Sequence, residues 1–293
     1  MKILFIGTVE FSLKALSKLI DLNANIVGVC TKEISTFNSD YANLVPLCKK
    51  NDIKYKYIKD INSKENILWI QSLEPDIIFC FGWSSLIKKE LLDLAPMGII
   101  GFHPASLPQN RGRHPIIWAL ALGLKESAST FFFMDEGADS GDILSQVFFK
   151  ISETDTASTL YDKIVQIALL QIKNFLPKLQ NKTFIKIKQD HNQSNVWRKR
   201  NKKDGLIDFR MNSLSIYNLI RSLSKPYVGA SILYNKSDII VWKSQIVENN
   251  ISNIESGKVL EVENNTILVK TYDGAIRLLE HEFILLPKVG EYL

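Results

Sequence analysis

The sequence predicts an α/β fold: a Rossmann-like, mostly parallel sheet with helices on both faces, followed by a small OB-like β-barrel. Three observations lead there. Short apolar runs alternate with helical patterns through the first half of the chain, the signature of βαβ units. Three of those runs end in glycine-bearing segments, Gly7-Thr8, Phe81-Gly82-Trp83 and Gly101-Phe102-His103, which a parallel sheet brings to one rim, where ligands bind in such folds. Beyond Gly205 the pattern changes to closely spaced short strands separated by turn residues.

The elements follow in order. Lys2–Gly7 is a first strand, too short and without the small-residue cleavage site of a signal peptide. Leu13, Leu16 and Leu19-Ile20 share one side of a helix, and Asn25–Cys30 is strand-like. Tyr41–Lys50 reads as helix, Lys54–Ile58 as strand, Asn66–Leu73 as helix, and Asp76–Phe81 and Gly98–Phe102 as buried strands. His114–Leu122 is a helix with Pro115 in its first turn and Gly123 as its stop. Ser129–Met134 and Ile143–Ile151 flank the Asp135–Asp142 turn. Ser158–Leu176 is amphipathic, with Pro177 just beyond. A helix over Ser213–Ser224 precedes strands at Gly229–Tyr234, Ile239–Val247, Gly257–Val262, Thr266–Tyr272 and Ala275–Glu280, with Asn264-Asn265 and Asp273-Gly274 as turns. These readings give a first domain over 1–180, a basic linker over 181–204 and a second domain over 205–293.

Composition narrows the function classes. At 46% apolar and 23% charged, the 293 residues suit an ordinary globular protein, and no apolar run is long enough to span a bilayer. The three cysteines, Cys30, Cys48 and Cys80, lack metal-ligand spacing, so no metal is expected and the cytoplasm is the natural compartment. The net charge of +5 is modest, with the excess between Lys182 and Lys203. That stretch also holds Asn, Gln and Ser and reads as a solvated connector.

The chemistry concentrates between Gly98 and Asp142. His103 follows an apolar run and precedes Pro104-Ala105-Ser106-Leu107-Pro108, then Arg111-Gly112-Arg113. Asp139 lies in the turn Met134-Asp-Glu-Gly-Ala-Asp139-Ser-Gly-Asp142. Imidazole accepts protons near neutral pH, and a carboxylate can fix its tautomer and stabilise its charged form. Alone, either residue would be structural, and His114, His191 and His281 keep that default. With Gly7-Thr8-x-Glu10-Phe11, Arg111-Gly112-x-x-Pro115, Asp139-x-Gly141-Asp142 and Lys203-Asp204-Gly205 in order, the chain resembles the folate-dependent formyltransferases along nearly its whole length.

The resemblance implies formyl transfer from formyl-tetrahydrofolate to an amine, with His103 and Asp139 as the catalytic pair. It implies that Phe81, Gly82, Trp83, Ser106, Leu107 and Pro108 wall the folate site, and that Thr8, Glu10, Phe11 and Arg111 lie on the acceptor side. One position departs from the family: Gly101 stands where an Asn is expected two residues before the histidine. Losing such an oxyanion donor can cost ~10²–10³ in rate. A backbone N–H, Ser106 or Asn110 could substitute, or the protein could be a weak or inactive enzyme. Gly101→Asn would distinguish these through a gain in rate.

Within the family two acceptors compete: the amino group of a nucleotide-linked deoxyamino sugar, used for surface glycans or polysaccharides, and the methionyl group of initiator tRNA. The loop Thr31–Asp40 is short, with one Lys and two acids, and makes a poor phosphate clamp. The sugar is therefore preferred, with no nucleic-acid or membrane partner. The basic linker and OB-like domain count for tRNA. A non-catalytic folate or nucleotide-sugar binder is a third reading. Exposed strands of the second domain would allow a homodimer.

Overall fold

The computed structural model describes residues 1–34, 40–248 and 252–293. The elements begin β1 (Lys2–Ile6), α1 (Glu10–Asp21), β2 (Asn25–Thr31), α2 (Val45–Lys50), β3 (Tyr55–Tyr57), α3 (Lys64–Ser72), β4 (Ile77–Cys80), α4 (Lys89–Leu92) and β5 (Ile99–His103). They continue with β6 (Arg111–Gly112), α5 (Pro115–Ala121), β7 (Glu126–Phe133), β8 (Ile143–Lys150), α6 (Ala157–Gln180) and β9 (Val196–Trp197). The last are α7 (Ser213–Leu223), β10 (Ala230–Tyr234), β11 (Ser237–Val247), β12 (Val259–Glu263), β13 (Thr266–Lys270) and β14 (Ala275–His281).

Two compact units result. The first holds 1–112, 127–149 and 162–197; the second holds 113–126, 150–161 and 198–293. The division is less contiguous than a single cut after residue 180. Helix α5 joins the second unit because Ile117 shares its core with Ile216, Ile220 and Phe209. The stretch 181–197 belongs to the first unit rather than to a free connector.

The first unit is built on a seven-stranded sheet in the order β3-β2-β1-β4-β5-β7-β8. Strands β3 to β5 pair in parallel and β7 joins β5 antiparallel. Alternation along β1 sends Leu4 and Ile6 to an aliphatic layer with Ile70, Ile78 and Leu91. The opposite face carries a chain of rings. Phe81 lies 5.7 Å from Phe5, 5.2 Å from Phe79, 5.2 Å from Phe131 and 6.0 Å from Phe11, and Phe131 lies 4.9 Å from Phe175 of α6. Burying both faces is what makes these strands read as continuous apolar runs.

The strand order reverses direction between β1 and β4, which opens a crevice beyond their carboxyl ends. Ser12 ties that point together: its Oγ accepts from the N–H groups of Thr8 and Val9, both at 3.1 Å, and donates to the Phe81 carbonyl at 2.6 Å. A Cβ on Gly7 would stand 2.6 Å from that carbonyl, so this close approach requires glycine.

Helix α6 runs to Gln180, past Pro177, where the sequence reading stops. Lys173, whose carbonyl Pro177 cannot satisfy, is exposed, while Leu179 extends the buried stripe of Phe175 and Leu176. Burial of that stripe outweighs the missing hydrogen bond.

The second unit carries the antiparallel sheet β10-β11-β14-β13-β12 with α7 in its core. Among the described residues no helix is long and apolar enough to cross a membrane.

Candidate active site

Strand β5 delivers His103, and its pairing sets His103 opposite Thr130 of β7. The loop that follows is pinned from below: Thr130 Oγ1 donates to the Ala105 carbonyl at 2.7 Å, and Gln146 Nε2 donates to the Leu107 carbonyl at 2.9 Å. The Leu107–Pro108 bond is cis. Asn110 then adopts a left-handed conformation (φ +63°), which Asn tolerates better than most residues. This turns its carbonyl back onto His103 Nε2 at 2.8 Å.

Asp139 arrives from the opposite side, also left-handed, at φ +54°. Its Oδ2 sits 3.6 Å from His103 Nδ1 and accepts from the Gly112 N–H at 2.9 Å. The imidazole is buried and the carboxylate is 22% exposed, so the pair opens to solvent on the acid's side. A carbonyl only accepts, so His103 Nε2 carries a proton and Nδ1 faces the carboxylate. The ring is hydrogen-bonded at Nε2 and faces the carboxylate at Nδ1. Two residues thirty-six positions apart thus meet as their sequence context predicts.

The other sequence-predicted site residues divide. Gly82, Trp83, Ser106 and Pro108 are half-buried at the ends of β4 and β5, open on one side. Gly82 has φ +70°, and the Lys32 ammonium lies 5.0 Å from the Trp83 ring. Trp83 Nε1 and Thr8 Oγ1 are buried and lack a hydrogen-bond partner among the described residues. Unpaired buried donors at a cleft are suited to a polar ligand group. Glu10 is exposed in the first turn of α1.

Four of these residues lie in the interior. Phe81 is fully buried among aromatic rings, its N–H bonded to the Ile6 carbonyl and its carbonyl to Ser12, so it offers a ligand nothing. Phe11 is 4% exposed and its ring lies 4.3 Å from that of Phe102, in the interior. Leu107 is 3% exposed and packs with Phe132 and Ile143. Arg111 is 7% exposed, and its guanidinium is spent on Gln189 and His191 rather than on an acceptor.

Gly101 explains its own departure. A Cβ there would stand 2.9 Å from Phe132 Cζ and 2.9 Å from Met134 Cγ. The volume a side chain would occupy is filled by an apolar cluster, so Gly101→Asn cannot simply restore a donor. Of the substitutes the sequence offers, Asn110 touches His103 through its backbone carbonyl at 2.8 Å.

Sequence reasoning missed Ser12 and Gln189. Ser12 falls at the third position of a helix, where serine is unremarkable. Gln189 is the only buried residue between 181 and 199, within a run otherwise read as solvated, and no periodicity marks it.

The three cysteines are free and buried. Burial pushes the Cys48 thiol up to about 11 and the Cys80 thiol up to about 12, and raises Cys30 further. No cluster of metal-ligating residues occurs among the described residues.

A Rossmann-like sheet with a His–Asp pair at its rim and an antiparallel-sheet unit defines a class, and comparison with known proteins identifies it. Residues 1–171 match the formyl transferase family and 199–284 match the formyl transferase C-terminal domain. The chain belongs to this family and is a formyl-transferring enzyme. It is 32% identical over 288 residues to the methionyl-tRNA formyltransferase of Ruminiclostridium cellulolyticum, covering 97% of this chain and 92% of that relative. It is 35% identical over 251 residues to the bifunctional polymyxin resistance protein ArnA of Wigglesworthia glossinidia brevipalpis, covering 84% of this chain and 38% of that protein. The fold is also that of the N-formyltransferase from Helicobacter canadensis in complex with folinic acid and dTDP-3-aminofucose, with TM-score 0.73, 20% identity, and 96% and 99% of the two chains covered.

Proposed function

We propose that this enzyme transfers the formyl group of formyl-tetrahydrofolate to the amine of a nucleotide-linked deoxyamino sugar. The observation that carries the transfer chemistry is the His103–Asp139 pair, 3.6 Å apart at the end of β5. His103 receives the proton that the acceptor amine sheds and returns one to the nitrogen that leaves. Asp139 holds the ring in register and stabilises its charged form, a service typically worth roughly 10²–10⁴-fold. The Asn110 carboxamide supplies the donor for developing negative charge on the formyl oxygen, in place of the side chain that Gly101 lacks. Gly82, Trp83, Ser106 and Pro108 border the folate side; Thr8 and Glu10 border the acceptor side.

The choice of a sugar rests on charge. Residues 35–39 of the loop Thr31–Asp40 lie outside the described residues, so that reading stands on sequence. The basic stretch adds an observation: Arg198 is paired with Asp204 and Lys202 with Asp238. Arg200, 9% exposed, lies 4.6 Å from the Trp118 ring. These pairs reduce the free positive charge of the stretch and so weaken its case as a phosphate clamp. The similarity to the N-formyltransferase bound to dTDP-3-aminofucose agrees with this reading. Methionyl-tRNA is the second reading, favoured by the name of the 32%-identical relative.

The test is a panel. The enzyme is incubated with formyl-tetrahydrofolate and either UDP- and dTDP-linked amino sugars or methionyl initiator tRNA, and products are read by mass spectrometry. Formylated sugar is expected. Formylated tRNA alone would establish the second reading, and tight binding without product would reduce the protein to a binder.

A further inference from the structure

The stretch read as a solvated linker runs across both catalytic loops. Ile187 and Ile143 exchange backbone hydrogen bonds of 2.7 and 2.9 Å, which fixes the stretch to the strand leaving the Asp139 turn. Eight residues on, the Asn195 carbonyl accepts from the Arg111 N–H at 3.1 Å, its Oδ1 accepts from the Asn110 N–H at 2.8 Å, and β9 pairs with β6. The segment is thus a strap joining the loop that presents Asp139 to the loop whose carbonyl holds His103. Nearly all of it is exposed. Gln189, at 6% exposure, is the exception.

The Gln189 side chain is saturated. Its Nε2 donates to the carbonyls of Asp139 at 2.9 Å and Gly141 at 2.6 Å. Its Oε1 accepts from Arg111 Nε at 3.2 Å and Nη2 at 2.6 Å. A carboxamide has two donors and two lone pairs, and all four are used. Arg111 is itself buried and backed by His191 Nδ1 at 3.1 Å from Nη2. The carbonyls that Gln189 grips bracket a backbone turn whose first residue is left-handed.

We infer that Gln189 is a positioning residue for catalysis: oriented by Arg111, it clamps the turn that aims Asp139 at His103. This rests on the proposed role of Asp139. The physical need is plain. The carboxylate stands 3.6 Å from the ring, and displacement of reacting geometry by 1 Å can cost ~10²-fold. Glutamine is the residue type required. Glutamate would keep the Arg111 partner but set an acceptor-only carboxylate against two carbonyls.

The test compares Gln189→Glu, Gln189→Met, Asp139→Asn and the double variant Asp139→Asn/Gln189→Met with the unmutated enzyme. Gln189→Glu and Gln189→Met are expected to lower kcat about 10- to 100-fold with KM for both substrates little changed. In the double variant the Gln189 substitution should add nothing, because the group it aims is gone. Gln193→Ala, on the exposed face of the same strap, should leave kcat unchanged.

If Asp139→Asn is impaired while the Gln189 variants turn over normally, Gln189 has no positioning role and the catalytic reading stands. If the losses multiply in the double variant, Gln189 does not act through Asp139 and the inference fails. Normal turnover by Asp139→Asn would remove both claims. Should the variants not fold, the unmutated protein decides: the Gln189 side-chain NH2 signals should exchange slowly with solvent, and fast exchange would overturn the inference.

Discussion

Restoring asparagine at Gly101 is the substitution the family pattern invites, and the structure assigns it a cost. The added Cβ meets Phe132 Cζ and Met134 Cγ, each at 2.9 Å, well inside contact distance. Phe132 is 3% exposed and packs with Leu107 and Ile143, so it has little room to yield. Overpacking of this kind costs about 1–3 kcal/mol. The carboxamide then enters an apolar cluster without a partner, about 1–3 kcal/mol more. The sum, about 2–6 kcal/mol, is a large share of a typical domain's stability. At roughly 2–4 °C per kcal/mol, the melting temperature should fall on the order of 10 °C. Gly101→Ala, with the steric part alone, should fall by about half as much. Thermal unfolding by circular dichroism measures both, with formyl transfer measured in parallel. An asparagine variant that melts with the unmutated protein and transfers faster would refute the argument.

Other consequences can be checked singly. Asn110→Gly keeps the left-handed backbone and the carbonyl on His103 but deletes the carboxamide, so kcat should drop ~10²–10³-fold; an unchanged kcat would assign the oxyanion donor elsewhere. Arg221, 7% exposed, donates from Nη1 to the carbonyls of Ser152 at 3.0 Å and Asp155 at 2.8 Å. Its replacement by Met should destabilise by about 1–3 kcal/mol in chemical denaturation, because buried acceptors lose their donor. Burial, then the positive charges of Arg200, Arg113 and Lys199, hold the pKa of His114 below its ordinary value. A depressed folded-state pKa gives stability that is present above the unfolded value of 6.5 and lost as pH falls through the folded one. His114→Asn, which tolerates the same φ of +58°, should therefore flatten the loss of stability below pH 6.5. The three cysteines should resist a thiol reagent until the protein is denatured, since burial disfavours their thiolates.

Much of the fold is legible in the sequence because periodicity reports burial. The central strands β1, β4 and β5 read as apolar runs since both faces are covered, and Asn264-Asn265 marks its hairpin because both residues take positive φ. Helix α6 is misjudged at Pro177 because a local rule about proline cannot see Leu179 reaching the core. The meeting of His103 and Asp139 is legible because each sits beside a glycine-bearing turn. Residue type alone cannot separate Phe11, Phe81 and Leu107, which pack the interior, from Gly82, Trp83, Ser106 and Pro108, which border the rim. Arg111 shows the same limit: a guanidinium reads as a phosphate handle until its partner is found 78 positions away in Gln189. Gln189 itself lies in a stretch whose composition marks it as solvent-facing, and only tertiary pairing with Ile143 and β6 reveals the strap.

The most direct measurement is the single-turnover rate of formyl transfer from formyl-tetrahydrofolate by His103→Ala, against the unmutated enzyme, with folding verified by circular dichroism. A proton relay at the end of β5 predicts a rate lower by roughly 10²–10⁴-fold in a folded protein. Transfer at a near-normal rate would contradict it and move the chemistry away from the imidazole altogether.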